Sequence, residues 1–163
     1  MKQGEEGFTL IEIVMVIAII ALIAGAATMV TFQLVRGTER SNDHMMAVNQ
    51  VQNAGCWISR DTQMAENVTA GLTLPNFLIL SWGEHQVTYT LEAMPGTELK
   101  KLQRHLSING GSDNTTFVAQ YIDPDKTSCI FTGIKLVLTV TAAGGSGSPK
   151  SETRVYEVIP RQN

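Results

Sequence analysis

Residues 7–25 read GFTLIEIVMVIAIIALIAG. One letter in this stretch is out of place. Glu12 is a carboxylate inside an otherwise uncharged, apolar run, and no further charge follows from Ile13 to Val35. That interval is about 23 residues, or about 35 Å as an α-helix, enough to cross a bilayer. An isolated charge at the centre of a membrane costs about 3 kcal/mol on insertion scales and less near the interface. The reading of the chain therefore turns on what neutralises Glu12.

The remainder of the 163 residues has the composition of one modest soluble domain, with mixed charges, many Thr and Gly, and short apolar runs. A net charge of −3 and no concentrated basic face argue against nucleic acid as the main partner. The densest basic stretch, residues 100–105, is short. His44, His85 and His105 are isolated and lack metal spacing, and "NGGSDN" has neither the lysine nor the following helix of a phosphate loop. The residues in "DPDK", Asp123 and Asp125, read as a turn, because the ligand count of a calcium loop is missing. We expect no catalytic residue, no cofactor and no bound metal. Cys56 and Cys129 match no C-x-x-C spacing. Two readings stand for them: a disulfide, if the domain lies outside the cytoplasm, or two free and buried small side chains.

Three readings compete for the N-terminus. A secretory signal would be cut near Ala26 or Ala27, but its first residues should be basic, whereas Lys2 is set against Glu5 and Glu6. A plain single-span anchor explains the length and leaves Glu12 unexplained. Counting flanking positive charges does not orient it, because Lys2 lies on one side and Arg36 and Arg40 on the other.

The third reading rests on a resemblance. Gly7, Phe8, Thr9, Leu10, Ile11 and Glu12, followed at once by about twenty apolar residues, resemble the N-terminal segment of type IV prepilins and of the pseudopilins of type II secretion. The resemblance implies that a prepilin peptidase cuts between Gly7 and Phe8 and that Phe8 is N-methylated. It also implies that the apolar helix is retained and that Glu12 serves filament assembly. The physics agrees. Cleavage creates a cationic amine at Phe8, a natural partner for the Glu12 carboxylate of a neighbouring subunit. Such a buried pair adds little net stability, but it penalises any register that leaves one charge alone. Unlike many relatives, this chain has no proline between residues 1 and 74, so the helix should run on without a break.

After Val35 the apolar residues become periodic. Met45, Val48, Val51, Gly55, Ile58 and Ala65 fall near three–four spacing, which predicts that the helix continues to about Ala65 with one face against a domain. Gly37 is a candidate bend. Beyond residue 66 the period changes to two. "HQVTYTLEA" alternates cleanly, and "NFLILSW", "FVAQYI", "IKLVLTV" and "RVYEVI" are short strand-like runs. "WGEH" reads as a tight hairpin and residues 142–152 as a flexible loop. "ELKKLQRHL" fits a helix or a strand. The expected architecture is α+β: a leader at 1–7, a membrane and filament-core helix at 8–35, its amphipathic continuation at 36–66, and an antiparallel β-rich domain at 67–163.

Within the family, the pieces Arg60-Asp61, Val87-x-Tyr89-x-Leu91 and Leu102-x-Arg104 resemble J-type minor pseudopilins and related minor pilins. The resemblance implies a non-enzymatic subunit of a type II secretion or type IV pilus-like filament. Its partners would be other pilin-like subunits, the prepilin peptidase, an inner-membrane assembly platform and the membrane itself. The globular domain would lie outside the cytoplasm. The alternative is a ligand-binding or hydrolytic ectodomain that uses the helix only as a tether.

Overall fold

The computed structural model describes residues 9–71, 75–111 and 114–161. Among these residues one helix, α1 (Leu10–Met64), is followed by eight strands: β1 (Asn67–Ala70), β2 (Asn76–Trp82), β3 (His85–Ala93), β4 (Lys100–Ile108), β5 (Asn114–Ile122), β6 (Ser128–Phe131), β7 (Leu136–Ala143) and β8 (Ser151–Val158). All ladders are antiparallel, and the α+β layout is the one expected, a long helix followed by a curled sheet of type IV pilin-like form. The chain divides at Arg40/Ser41 into two compact units.

In the first unit every described residue up to Arg40 is exposed. Leu, Ile, Val and Ala form and sustain this helix without help from packing, and no proline interrupts it. It stays α-helical through both Gly25 and Gly37. Its few hydroxyls are satisfied internally. Thr28, Thr31 and Thr38 donate to the carbonyls of Ala24, Ala27 and Leu34 at 2.8, 3.0 and 2.9 Å. Such back-bonding removes the cost of placing a hydroxyl in an apolar solvent.

The second unit is built on the other half of α1. The buried stripe is Ala47, Val51, Ala54, Gly55, Ile58, Asp61, Thr62 and Ala65, at alternating three–four spacing. This corrects the expected face at its start. Met45 is 60% exposed and Val48 only half-buried, because the stripe begins at Ala47, two residues and about 200° round the helix from Met45. Gly55 is required by contact: a Cβ there would overlap the ring of Tyr156 on β8. The helix ends as Ala65 N–H bonds the Thr62 carbonyl in a tightened last turn, and the β-forming sequence Asn67-Val68-Thr69 then pairs with β2.

The sheet order is β1-β2-β3-β4-β5-β7-β6, with β8 on the other side of β7. β2 and β3 coincide with "NFLILSW" and "HQVTYTLEA", joined by a two-residue turn at Gly83-Glu84, where Gly83 has φ of 51°. "KLQRHL" is strand β4, with Leu102 and Arg104 facing inward. Three bulges curve the meander. Phe77 is extra in β2, Val118 is extra in β5, and β5 advances three residues from Ala119 to Ile122 where β4 advances two. At the last of these, Tyr121 adopts φ of 57°, a left-handed conformation that costs a non-glycine residue about 1–2 kcal/mol. The Gln120 N–H instead donates to Gln50 Oε1 of α1 at 2.9 Å. Beyond this kink a single residue pair, Ile122 with Ala142, joins the meander to the β6-β7-β8 leaf. β1 and β6 come side by side without a ladder between them.

The helix holds both leaves. Gln50 and Asp61 bond the meander, while Val51 O accepts from the Tyr156 hydroxyl at 3.1 Å and Asp43 Oδ2 from the Ser148 hydroxyl at 2.8 Å. The core between helix and sheet contains Val51, Ile58, Leu78, Leu80, Val87, Leu138 and Val140 among its buried side chains.

Candidate functional site

Gly7 and Phe8, the expected cleavage and methylation positions, lie outside the described residues. The described chain begins at Thr9, which caps α1. Its carbonyl accepts from Glu12 N–H at 3.0 Å and Ile13 N–H at 3.3 Å, and its hydroxyl donates to Glu12 Oε2 at 3.5 Å. Glu12 is therefore in the first turn of the helix. There the positive end of the helix dipole favours a carboxylate by about 0.3–1 kcal/mol. Thr9-Leu10-Ile11-Glu12 has the T-x-x-E spacing of a capping box, but the bond formed here runs from the Thr9 hydroxyl to the Glu12 carboxylate. This position eases the cost of an acid here. The gain falls short of the ~3 kcal/mol cost of a charge at full depth in hydrocarbon, so part of that cost needs a further partner or a position near the interface. Glu12 also borders an apolar groove of about 320 Å³ formed with Ile13, Val16 and Ile17.

Beyond Glu12 the helix surface is a candidate membrane span, and none of its apolar window is buried within the chain. It fits a membrane anchor. Ala18, Ala21, Ala24, Gly25, Ala26 and Ala27 are exposed, and nothing lies within 4 Å of where a Gly25 side chain would start. Small residues of this kind permit close approach of another helix.

The second unit contains a polar cluster at its core. The Asp61 carboxylate accepts from Arg104 Nε and from the Tyr89 hydroxyl, both at 2.6 Å on Oδ2, and from an Arg104 terminal nitrogen at 3.3 Å on Oδ1. Asp61 and Tyr89 are fully buried and Arg104 nearly so. The three short pieces Arg60-Asp61, Val87-x-Tyr89-x-Leu91 and Leu102-x-Arg104 thus meet at one point. Burial, reinforced by the Asp61 charge and hydrogen bond, holds the Tyr89 hydroxyl well above its ordinary range. Burial alone would lower Arg104, but its hydrogen bond and charge pairing with Asp61 outweigh that and raise it. The Trp57 ring is flanked by both guanidinium groups, Arg60 at 4.2 Å and Arg104 at 5.3 Å from its centroid. This cluster fixes the register of helix on sheet.

The other singled-out residues are scattered. His44 is exposed on α1, His85 stacks on Trp82 with centroids 5.7 Å apart, and His105 sits between Thr90 and Thr115. Asp123 binds Lys126 at 2.9 Å and the Asp125 N–H at 3.1 Å. Burial would raise its pKa, but these partners overcome the effect and lower it. Among the described residues, no group of three or more His, Cys, Asp or Glu is placed to hold a metal. Of the two readings of the cysteines, the structure has the free thiols and not the disulfide, but only Cys129 is buried. Cys56 and Cys129 are free thiols, because Cys56 is on the exposed face of α1 and Cys129 is buried on the core side of β6. Burial pushes the Cys129 thiol up to about 12.

Residues 2–28 match the family model described as the prokaryotic N-terminal methylation motif. Neither the curated proteins nor the solved structures contain a match to the chain. The match covers the capped helix start, Glu12 and most of the apolar span, and marks this segment as a type IV pilin-type signal.

Proposed function

We propose that the chain is a non-enzymatic structural subunit of a type II secretion or type IV pilus-like filament, and within that class a minor pseudopilin or minor pilin. The carrying observation is the methylation motif at residues 2–28 leading without a break into a helix whose apolar surface has no cover within the chain. In this reading a prepilin peptidase cuts between Gly7 and Phe8 and Phe8 is N-methylated. The helix starts in the cytoplasmic membrane, with the sheet domain outside the cytoplasm, and an assembly platform moves it into a bundle of subunits. Packing of apolar and small side chains supplies most of the cohesion. Glu12, in the first turn of its own helix, takes the new amine of a neighbour as the partner that offsets the remaining desolvation. The Asp61–Tyr89–Arg104 cluster, built from the pieces that resemble J-type chains, supports the minor-subunit assignment.

The mass of the mature N-terminus tests this directly. The expected species begins at methylated Phe8. A chain beginning at Ala27 or Thr28, or one retaining its first seven residues, overturns the proposal. Glu12→Ala should leave cleavage intact and abolish incorporation into filaments. Normal incorporation of that variant removes the pairing role while leaving the processing result to stand by itself.

A further inference from the structure

The solvent face of the β2–β5 meander has an uncharged polar patch. An open, mostly polar cleft of about 500 Å³ lies on it. From β3 come Gln86, Thr88 and Thr90, and from β4 His105 and Ser107; Asn76 and Ile79 of β2 close one side. No Asp, Glu, Lys or Arg lines it, although such residues make up 17% of the chain. The Glu92–Lys101 pair on the neighbouring rungs is self-neutralised at 2.8 Å.

The polar groups in the cleft are held in place. His105 bonds Thr90 Oγ1 through Nε2 at 3.0 Å and Thr115 Oγ1 through Nδ1 at 2.9 Å. A neutral imidazole donates through one nitrogen and accepts through the other. Each threonine hydroxyl then keeps unused hydrogen-bonding capacity, and its position is set before any ligand arrives. On the rung formed by Thr90, Gln103 and Phe117, the Phe117 ring is 55% exposed. A large apolar ring thus stands two strands from Thr90, about 10 Å away at normal strand spacing.

We propose that this face, from Thr88 and Thr90 across His105 and Gln103 to Phe117, binds a neutral polyhydroxylated ligand, a short glycan chain. A sugar ring offers a hydroxyl rim that both donates and accepts, which matches fixed hydroxyls, amides and one imidazole. It also offers a C–H face, which matches Phe117. The absence of lining cations removes any means of neutralising a phosphate or sulfate, so nucleic acid and acidic polysaccharide are poor ligands.

The test uses the full chain in a sugar-free zwitterionic detergent, titrated with chitotetraose and, separately, maltotetraose. The ring signals of Phe117 and His105 are followed by NMR. Saturable shifts with a Kd of about 1 mM or tighter are expected for at least one of them. Phe117→Ala and Thr88→Lys should each weaken that binding at least about tenfold; both positions are on the solvent side, so folding should survive. Three results overturn the proposal: no saturation by either sugar, undiminished binding by Phe117→Ala, or shifts that arise only when a second protein is added, which would assign the face to a protein neighbour.

Discussion

Residues 10–40 and residues 47–64 belong to one helix and follow opposite rules. In the first segment apolar side chains cover the whole circumference from Ile13 to Val35 and none is buried. In the second they are confined to a stripe, and that stripe includes a buried acid, a buried hydroxyl and a glycine in contact with an aromatic ring. The first segment needs a solvent or neighbours from outside the chain, whereas the second needs one specific sheet. Substitutions in the two segments should therefore register in different measurements. Trp57 and Trp82 both lie in the second unit, so tryptophan fluorescence in urea reports that unit.

The largest effect on that unit should come from Asp61→Ala, which leaves Arg104 buried without its counter-ion. A loss of about 3–5 kcal/mol in unfolding free energy is expected, with membrane insertion unchanged. Alkali should act next. Cys129, ordinarily near 9.0, is held up to about 12 by burial, and Tyr89 is raised above its ordinary 10.0. Both groups keep their protons longer when folded. Their contribution is complete below pH 9 and is lost as pH rises, Cys129 acting across 9–12 and Tyr89 from 10 upward. Each costs about 1 kcal/mol per pH unit in its window, and Cys129→Ala should flatten the first part of the decline.

Gly55→Leu should cost about 1–3 kcal/mol by forcing Tyr156 off the helix, whereas Tyr156→Phe should cost only the hydroxyl bond to Val51, about 1 kcal/mol. Thr62→Val tests a weak point in the stripe. Among the described residues, Thr62 Oγ1 is the buried side-chain polar atom without a hydrogen-bond partner. Its replacement by a methyl should be neutral or stabilise by up to about 1 kcal/mol. Smallest of all, Ala24→Leu in the first segment should leave the urea transition within about 0.5 kcal/mol of the parent. A large shift there would mean that the two segments are not independent.

The sequence was most legible where one period persisted. The unbroken apolar run predicted the first segment, clean alternation placed β3 residue for residue, and a short apolar run placed β2. β1 and β6 were missed because four residues are too few to display a period. The start of the helix stripe was misplaced because Met45 is a stronger apolar signal than Ala47, although only Ala47 has the right phase. Residues 99–106 fit both periods, and pairing with β3 decided for a strand. The polar cluster was visible only as separate short pieces. Nothing in local pattern says that Asp61, Tyr89 and Arg104 meet, since 28 and 43 residues separate Asp61 from its partners. The contact of Thr9 with Glu12 was readable from their i, i+3 spacing, but the spacing was overshadowed by the question of charge in hydrocarbon.

The lone rung between Ile122 and Ala142 has a mechanical corollary. Two leaves that share a single ladder rung beside a kinked Tyr121, with β1 and β6 adjacent but unpaired, have a hinge-like seam that needs a brace. The brace is α1, which grips one leaf through Gln50 and Asp61 and the other through Val51 and Asp43. Tension drawn along this helix would load both leaves at once, and shearing it free would remove the splint that keeps the hinge shut.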